Sequence, residues 1–271
     1  MNGERYVRHL GLFGAKGQEQ IATARVAIIG LGGLGSHLAQ QLAYLGVREF
    51  QLLDGDMVEE TNLNRLIGAG PADIGRAKIE ITERELHRIV PEAAISAWPT
   101  HFDAAQPPLG LEEVDILFGC VDEDPVRLSL VSFTSRNRIP YLDLASDVTE
   151  EGEFGGRIVF ARDGERCLSC LGELDHHALA RAQMSDSQRA ADDKIYGVDR
   201  AALDSSGPSV VSVNGAVASL AVTEFMVWVT GLREPRGYIT YRGDLPSVGV
   251  RNDCERGYCR YCMDLWGNPA T

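Results

Sequence analysis

The sequence predicts an α/β fold: a Rossmann-like, mostly parallel sheet flanked by helices, with an antiparallel C-terminal extension and a structural zinc site. Three observations lead there. Val26-Ala27-Ile28-Ile29 is a short apolar run that ends in Gly30-Leu31-Gly32-Gly33-Leu34-Gly35, after which Leu34, Leu38, Leu42 and Leu45 recur at helical spacing. Val114 to Val121 is a second apolar run, followed by a helical stretch and a strand-like segment at Pro140 to Leu144. From Thr149 the pattern changes to glycine-marked strands, and two Cys-x-x-Cys pairs frame the C-terminal part.

In chain order, residues 4–24 form an N-terminal helical arm in which Gly11, Gly14 and Gly17 interrupt one or two helices. The strand, glycine turn and helix follow, then Phe50-Gln51-Leu52-Leu53 as a strand ending in Asp54. Ile79, Leu86, Ile89 and Val90 mark a helix starting near Gly75 and stopping at Pro91, which puts Lys78 in its first turn. Ala94 to Trp98 is a short strand, and Thr100 to Leu111 is a polar connector. The run from Val114 to Val121 reads as a buried parallel strand, and the stretch from Pro125 to Arg136 as the next helix. Gly155 to Phe160 reads as an antiparallel edge strand. Residues 172–207 are polar and acidic with weak periodicity, and are the segment expected to be a mobile crossover loop. A long helix over Ser209 to Thr230 and strands at Tyr238 to Tyr241 and Ser247 to Val250 precede the last cysteine pair. We read residues 1–271 as one domain, with 208–271 as its helix, strands and zinc tail.

Composition narrows the classes. An apolar content of 44% over 271 residues supports a full core, and a net charge of −13 argues against nucleic acid as a partner. The N-terminus lacks the apolar core of a signal peptide. Val210 to Leu232 is long and apolar, but Asn214, Gly215, Ser219, Thr223 and Glu224 make it a buried helix rather than a membrane span, so the expected location is the cytoplasm.

The chemistry starts at the glycines. Bare backbone at Gly30, Gly32, Gly33 and Gly35 permits a tight turn and close approach of phosphates to a helix N-terminus, where unpaired N–H groups and the dipole favour negative charge. Asp54 stands where an acid meets a nucleotide ribose in a βαβ unit. An NAD-dependent oxidoreductase fits these features. It gives no reason for Asn62, Arg65 and Lys78 in series after Asp54-x-Asp56, since Asn, Arg and Lys donate to phosphates and suit a triphosphate attacked at phosphorus. For Lys78 alone the rival is a solvated lysine. Asp122 falls just past a strand end, where a carboxylate could hold magnesium, with helix capping by Asp122 or Asp124 as the competing reading.

Six cysteines without an export signal favour metal or thiol chemistry over a disulfide framework. Cys167/Cys170 and Cys259/Cys262 supply four thiolates at the spacing of a tetrahedral zinc site, with redox disulfides or inert thiols as rivals. Four filled ligand positions make such a zinc structural. Cys120 in its apolar strand reads as an inert core residue, and Cys254 as a bystander.

Arg5-Tyr6-x-Arg8, the Gly-Leu-Gly-Gly-Leu-Gly loop, Asp54-x-Asp56, Asn62-Leu-x-Arg65, Asp73-Ile-Gly-x-x-Lys78 and Asp122 together resemble the ThiF/MoeB/HesA family of adenylating enzymes, related to ubiquitin-activating enzymes. The resemblance implies Mg-ATP as cofactor, Asp122 as the magnesium ligand, and Arg8 acting across a symmetric dimer on the phosphates of the other subunit. Arg65, Lys78 and Asp122 would be the other catalytic residues, and the four paired cysteines would hold zinc. It implies adenylation of the C-terminal carboxylate of a small ubiquitin-like protein ending in glycine, in a prokaryotic conjugation or sulfur-transfer pathway, with a downstream conjugating or sulfur-transfer protein as a further partner. The nucleophilic cysteine of some relatives is missing: Leu203-Asp204-Ser205-Ser206-Gly207 stands where it is expected. A non-catalytic scaffold of the same build is the remaining alternative, and the joint presence of the polar residues speaks against it.

Overall fold

The computed structural model describes residues 4–149, 152–182, 184, 209–251 and 258–266. Among these, one sheet is assembled from β1 (Arg25–Ile29), β2 (Glu49–Leu53), β3 (Ala94–Trp98), β4 (Ile116–Gly119), β5 (Tyr141–Val148), β6 (Phe154–Ala161), β7 (Tyr238–Arg242) and β8 (Ser247–Val250). The order is β3-β2-β1-β4-β5-β6-β7-β8. Neighbours from β3 to β5 run parallel, and those from β5 to β8 antiparallel.

Both faces of the parallel part are covered, which is why its strands are continuous apolar runs rather than alternating ones. Val26, Ile28, Phe50, Leu52 and Phe118 face one core, shared with α2 (Gly33–Leu45), α3 (Lys78–Ile89) and a long helix α7 (Val211–Thr230). Ala27, Ile29, Leu53 and Leu117 face the other, closed by α4 (Asp124–Asn137), the short α5 (Leu168–Leu171) and the cysteines of the tail. Phe225 of α7 is fully buried edge-on to Phe118, ring centroids 5.8 Å apart, and truncating it to alanine costs about 3–5 kcal/mol. The helix α7 is long and apolar enough to cross a membrane; it packs instead on α2, β5 and β6. The N-terminal arm, α1 (Val7–Thr23), breaks at Gly14 (φ +68°) and is fastened by Gln18 Nε2 donating to Leu45 O at 3.0 Å.

Three expectations change. The strand β6 is interior, between β5 and β7, and the edge is the exposed β8. Its glycines mark close backbone approach: a Cβ on Gly155 would stand 2.0 Å from Tyr241 O, and one on Gly156 2.3 Å from Ala145 O. The helix α3 begins at Lys78 itself, because residues before it return to the loop after β2: Val58 N–H donates to Arg76 O and Lys78 N–H to Asp56 O, both within 3.0 Å. Of the crossover at 172–207, residues His176–Ala182 form a helix, α6, while 183 and 185–207 lie outside the described residues, as does Cys254.

The strand order reverses at β1, which has β2 on one side and β4 on the other. Crossovers leave this point in opposite directions, so a crevice opens beyond the carboxyl ends of β1 and β4.

Candidate active site

The glycine loop fills that crevice. Gly30 (φ +88°) turns the chain out of β1 while its N–H donates to Leu53 O, and Cys120 N–H donates to Ile29 O across the same point. A Cβ on Gly30 would fall 2.6 Å from Cys120 O, and one on Gly35 only 1.9 Å from Gly30 O. Gly32 precedes α2 without a side-chain cap, leaving first-turn N–H groups aimed outward. Gly33 lies against Asn214 of α7, whose amide nitrogen would be 2.3 Å from an added Cβ. Asn214 is fully buried, accepting from Ser146 Oγ at 2.9 Å and donating to Ser209 Oγ at 3.0 Å. Cys120, beside the loop, has its thiol pushed well up by burial and stays protonated.

Asp54 directly follows β2 and is 7% exposed. Its Oδ2 accepts from Leu31 N–H at 2.6 Å and its Oδ1 from Asp56 N–H at 2.8 Å, so the carboxylate ties the glycine loop to the next strand. Burial raises its pKa, and the two backbone donors work against that rise.

Around it stand the other predicted residues. Lys78 Nζ pairs with Asp56 Oδ2 at 2.7 Å, and His101 Nε2 lies 3.8 Å from Asp56 Oδ1. The His101 ring rests on Gly55, where a Cβ would come within 2.7 Å of Nε2. Asn62 is buried, its Oδ1 accepting from Glu59 N–H at 3.1 Å to close a short 3-10 turn over Glu60–Asn62. Arg65 lays its stem beside Gly33 and donates through Nη1 to Thr61 O at 2.6 Å. Asp73, by contrast, is structural: Arg84 donates to both its oxygens at 2.7 and 2.9 Å and, with Gly70 N–H, holds its carboxyl well below the usual carboxylate range.

Asp122 lies exposed, three residues beyond β4. Among the described residues no cation pairs with it, and α4 carries no side-chain cap at its first turn. Neither capping expectation holds, since Asp124 is the first residue of α4 and accepts from Asp175 N–H at 2.6 Å. An exposed carboxylate at the switch point beside the glycine loop fits a magnesium ligand.

Behind Asp122 is a buried charge cluster that escaped the sequence reading. Asp143 of β5 has no exposure; it accepts from Tyr141 Oη at 2.8 Å and Arg157 Nη1 at 2.6 Å, with Arg127 Nη1 at 3.6 Å. Arg157 Nε meets Glu173 Oε2 at 2.8 Å, and Tyr238 Oη donates to Glu173 Oε1 at 2.6 Å. Burial alone would lower the Arg157 pKa, but the Asp143 charge and hydrogen bond, then Glu173, raise it. Burial and Asp143 push the Tyr141 phenol well up, so it remains a donor. Arg127 and Arg157 face Asp143 and Glu173, with Arg251 Nη1 a further 3.5 Å from Glu173 Oε1, and removing one partner from the buried Asp143–Arg157 pair costs about 3–5 kcal/mol. A charge inside the apolar run Tyr141-Leu142-Asp143-Leu144 was the signal available beforehand. Asn214 stood out as a polar residue inside an apolar helix without its partner being legible, and His101 offered no signal, since its contact is with a glycine distant in sequence.

Arg8 is exposed on α1. The Sγ atoms of Cys167, Cys170, Cys259 and Cys262 all lie within 4.8 Å of one another, with Cys167–Cys259 at 3.6 Å and Cys170–Cys262 at 4.0 Å. Tetrahedral zinc with Zn–S near 2.3 Å separates its sulfurs by about 3.8 Å, so the four fit that ion and would clamp the tail against α5. Hydrogen bonding among the four sulfurs raises the Cys167 and Cys262 thiols and lowers that of Cys170, so the Cys170 sulfur is the acceptor of the set.

Comparison with known proteins agrees with this architecture. The model of the ThiF family matches residues 6–248. Molybdopterin-synthase adenylyltransferase of Escherichia coli is 35% identical over 172 residues, covering 63% of this chain and 68% of that protein. Ubiquitin-like modifier-activating enzyme 5 of Xenopus laevis is 27% identical over 257 residues, covering 89% of this chain and 61% of that protein. Among solved structures, E. coli MccB with AMPCPP and MccA superposes with a TM-score of 0.73 at 22% identity, covering 97% of this chain and 74% of that one. That likeness speaks for the fold, and the family match together with the 35% identity speaks for descent. With its glycine loop, Asp54 lock and four-cysteine cluster in place, the chain belongs to the ThiF family.

Proposed function

We propose that this protein is an ATP-dependent adenylyltransferase that activates the C-terminal carboxylate of a small ubiquitin-like protein ending in glycine, in a conjugation or sulfur-transfer pathway of the cytoplasm. The observation that carries this reading is the convergence of the glycine loop, Asp54, Lys78 and Asp122 at the carboxyl ends of β1, β2 and β4. Relatives named as adenylyltransferases support it.

In this reading the α2 N-terminus and the bare backbone at Gly30, Gly32, Gly33 and Gly35 receive the phosphates. Asp54 and Asp56 stand at the ribose end. Asn62, Arg65 and Lys78 balance phosphate charge, and Arg8 from the second copy of a homodimer completes the set. Magnesium held by Asp122 supplies further positive charge to the triphosphate. A carboxylate oxygen of the substrate attacks the α-phosphorus, a new O–P bond forms, and the bond to the β-phosphate oxygen breaks to release pyrophosphate. The carboxylate is already ionised, so the protein positions and stabilises charge and needs no general base. No cysteine lies between Gly172 and Gly207, so the adenylate passes to a separate conjugating or sulfur-transfer protein rather than to a thiol of that segment.

The test is ATP–pyrophosphate exchange with a panel of small glycine-tailed proteins, paired with calorimetric binding of Mg-ATP and of NAD(H). Exchange that requires both Mg-ATP and one such protein supports the reading; tight NAD(H) binding without Mg-ATP binding sinks it.

A further inference from the structure

The carboxylate of Asp122 is only as well aimed as the peptide that carries it. Asp122 is two residues beyond the last backbone bond that ties this segment to β1, the one from Cys120 N–H to Ile29 O. It precedes a helix whose N-cap residue, Glu123, makes no side-chain capping bond. What does hold the segment is Arg127. Its Nε and Nη2 donate to Val121 O at 3.1 and 2.6 Å, a two-pronged grip on the carbonyl of the peptide joining Val121 to Asp122. Arg127 is 7% exposed, and its third nitrogen, Nη1, lies 3.6 Å from Asp143 Oδ2. Asp143 is oriented in turn by Tyr141 Oη and Arg157 Nη1. Tyr141 reaches it by crossing Gly119, where a Cβ would stand 2.2 Å from the phenol oxygen. Asp143 also pairs in register with Gly119 across β4 and β5.

A planar guanidinium that grips one carbonyl with two donors fixes orientation as well as distance, which a lysine ammonium cannot reproduce. The direction of the Val121 carbonyl sets the plane of the following N–H and so the start of Asp122. We infer that Arg127 is a positioning residue for Asp122, held in place by the buried carboxylate of Asp143, and that this pair sets the magnesium requirement of ATP binding. The inference rests on the reading of Asp122 as the magnesium ligand.

The experiment is calorimetric titration of ATP into the full chain over a range of magnesium concentrations, with thermal unfolding measured on the same samples. Asp122→Ala, Arg127→Lys and Tyr141→Phe are compared with the wild type. Arg127→Lys keeps the charge and loses the fork. It is expected to raise the magnesium concentration for half-maximal binding roughly 10-fold or more, the usual effect of losing an outer partner of a metal ligand, while metal-free ATP affinity stays within about twofold. Tyr141→Phe removes one bond to Asp143 and nothing at Val121, and is expected to raise the same concentration by about two- to tenfold, the value of one hydrogen bond. It serves as the readout if Arg127→Lys does not fold.

A magnesium requirement in Arg127→Lys equal to that of the wild type, with only the unfolding temperature lowered, overturns the inference and leaves Arg127 a structural residue. If Arg127→Lys does not fold, an unmoved requirement in Tyr141→Phe does the same. An unchanged requirement in Asp122→Ala overturns the reading of Asp122, and the inference with it, which separates the two failures.

Discussion

Lys78 Nζ sits 2.7 Å from Asp56 Oδ2 at the first residue of α3, and Lys78 N–H donates to Asp56 O at 2.9 Å, so one residue satisfies the other through backbone and side chain alike. A lysine at a helix N-terminus opposes the dipole by about 0.3–1 kcal/mol. The carboxylate of Asp56 offsets that in the free protein, and a phosphate would take over the role on binding. Lys78→Met is therefore expected to cost little stability. ATP affinity is expected to fall about 10- to 100-fold, the value of one hydrogen bond to a charged group. Calorimetry beside a melting curve separates the two effects, and undiminished ATP affinity in Lys78→Met would remove Lys78 from the site.

Gly35→Ala tests the loop itself. Its Cβ would meet Gly30 O at 1.9 Å, backbone against backbone, with no flexible atom to yield. The turn must open, and we expect a stability loss of about 1–3 kcal/mol with loss of nucleotide binding. Gly32→Ala, which meets nothing within 4 Å, serves as the control expected to fold normally.

The acid limb of stability should depend on Asp73. Arg84 and Gly70 N–H depress its folded pKa below the unfolded value of about 3.9, so its contribution is present above pH 4 and is lost as pH falls through the folded value. Asp73→Asn is expected to weaken the protein at pH 7, and the gap to wild type should narrow below about pH 4. Urea unfolding from pH 3 to 7 measures this. A gap that widens toward acid would have the sign wrong.

Zinc content is the direct check on the cysteines. About one equivalent is expected in freshly purified protein, falling well below half in Cys262→Ser. Removal by a chelator should lower the melting temperature and raise proteolysis near Cys259, because the tail is held to α5 through those sulfurs. Full-length stability indifferent to chelation would leave the four thiols without a metal.

Complementation addresses Arg8. If it acts across a two-fold dimer, Arg8→Ala and Asp122→Ala are each inactive in pyrophosphate exchange. Mixed and reassorted, they should recover about a quarter of wild-type activity, since half the dimers carry one complete site. No recovery from a mixture proven to reassort would place Arg8 outside the partner's site.

The periodicity of the apolar residues carried the strands and helices into the fold almost unaltered. Short apolar runs and 3.6-residue spacing are local, and β1, α2, β2 and β3 fall where Val26 to Ile29, Leu34 to Leu45, Phe50 to Leu53 and Ala94 to Trp98 predict them. Errors arose where a residue serves a neighbour distant in sequence. Gly155 to Phe160 read as an edge strand, yet it lies between β5 and β7, where Ala145 O and Tyr241 O press on the two glycines. Asp124 suggested a cap, yet it serves Asp175.

The sequence by itself determined the fold class, the glycine loop at the switch point and the two thiol pairs, because each is written in residue type at short, fixed spacing. Only the tertiary structure decided that Asn214 backs Gly33, that His101 rests on Gly55, and that Arg127, Asp143, Arg157 and Glu173 share one buried cluster. Those contacts join segments 14 to 181 residues apart, from Arg157–Asp143 at the near end to Asn214–Gly33 at the far end. They form because folding removes the charges and amides from water and leaves each only the partners that the sheet order brings within reach.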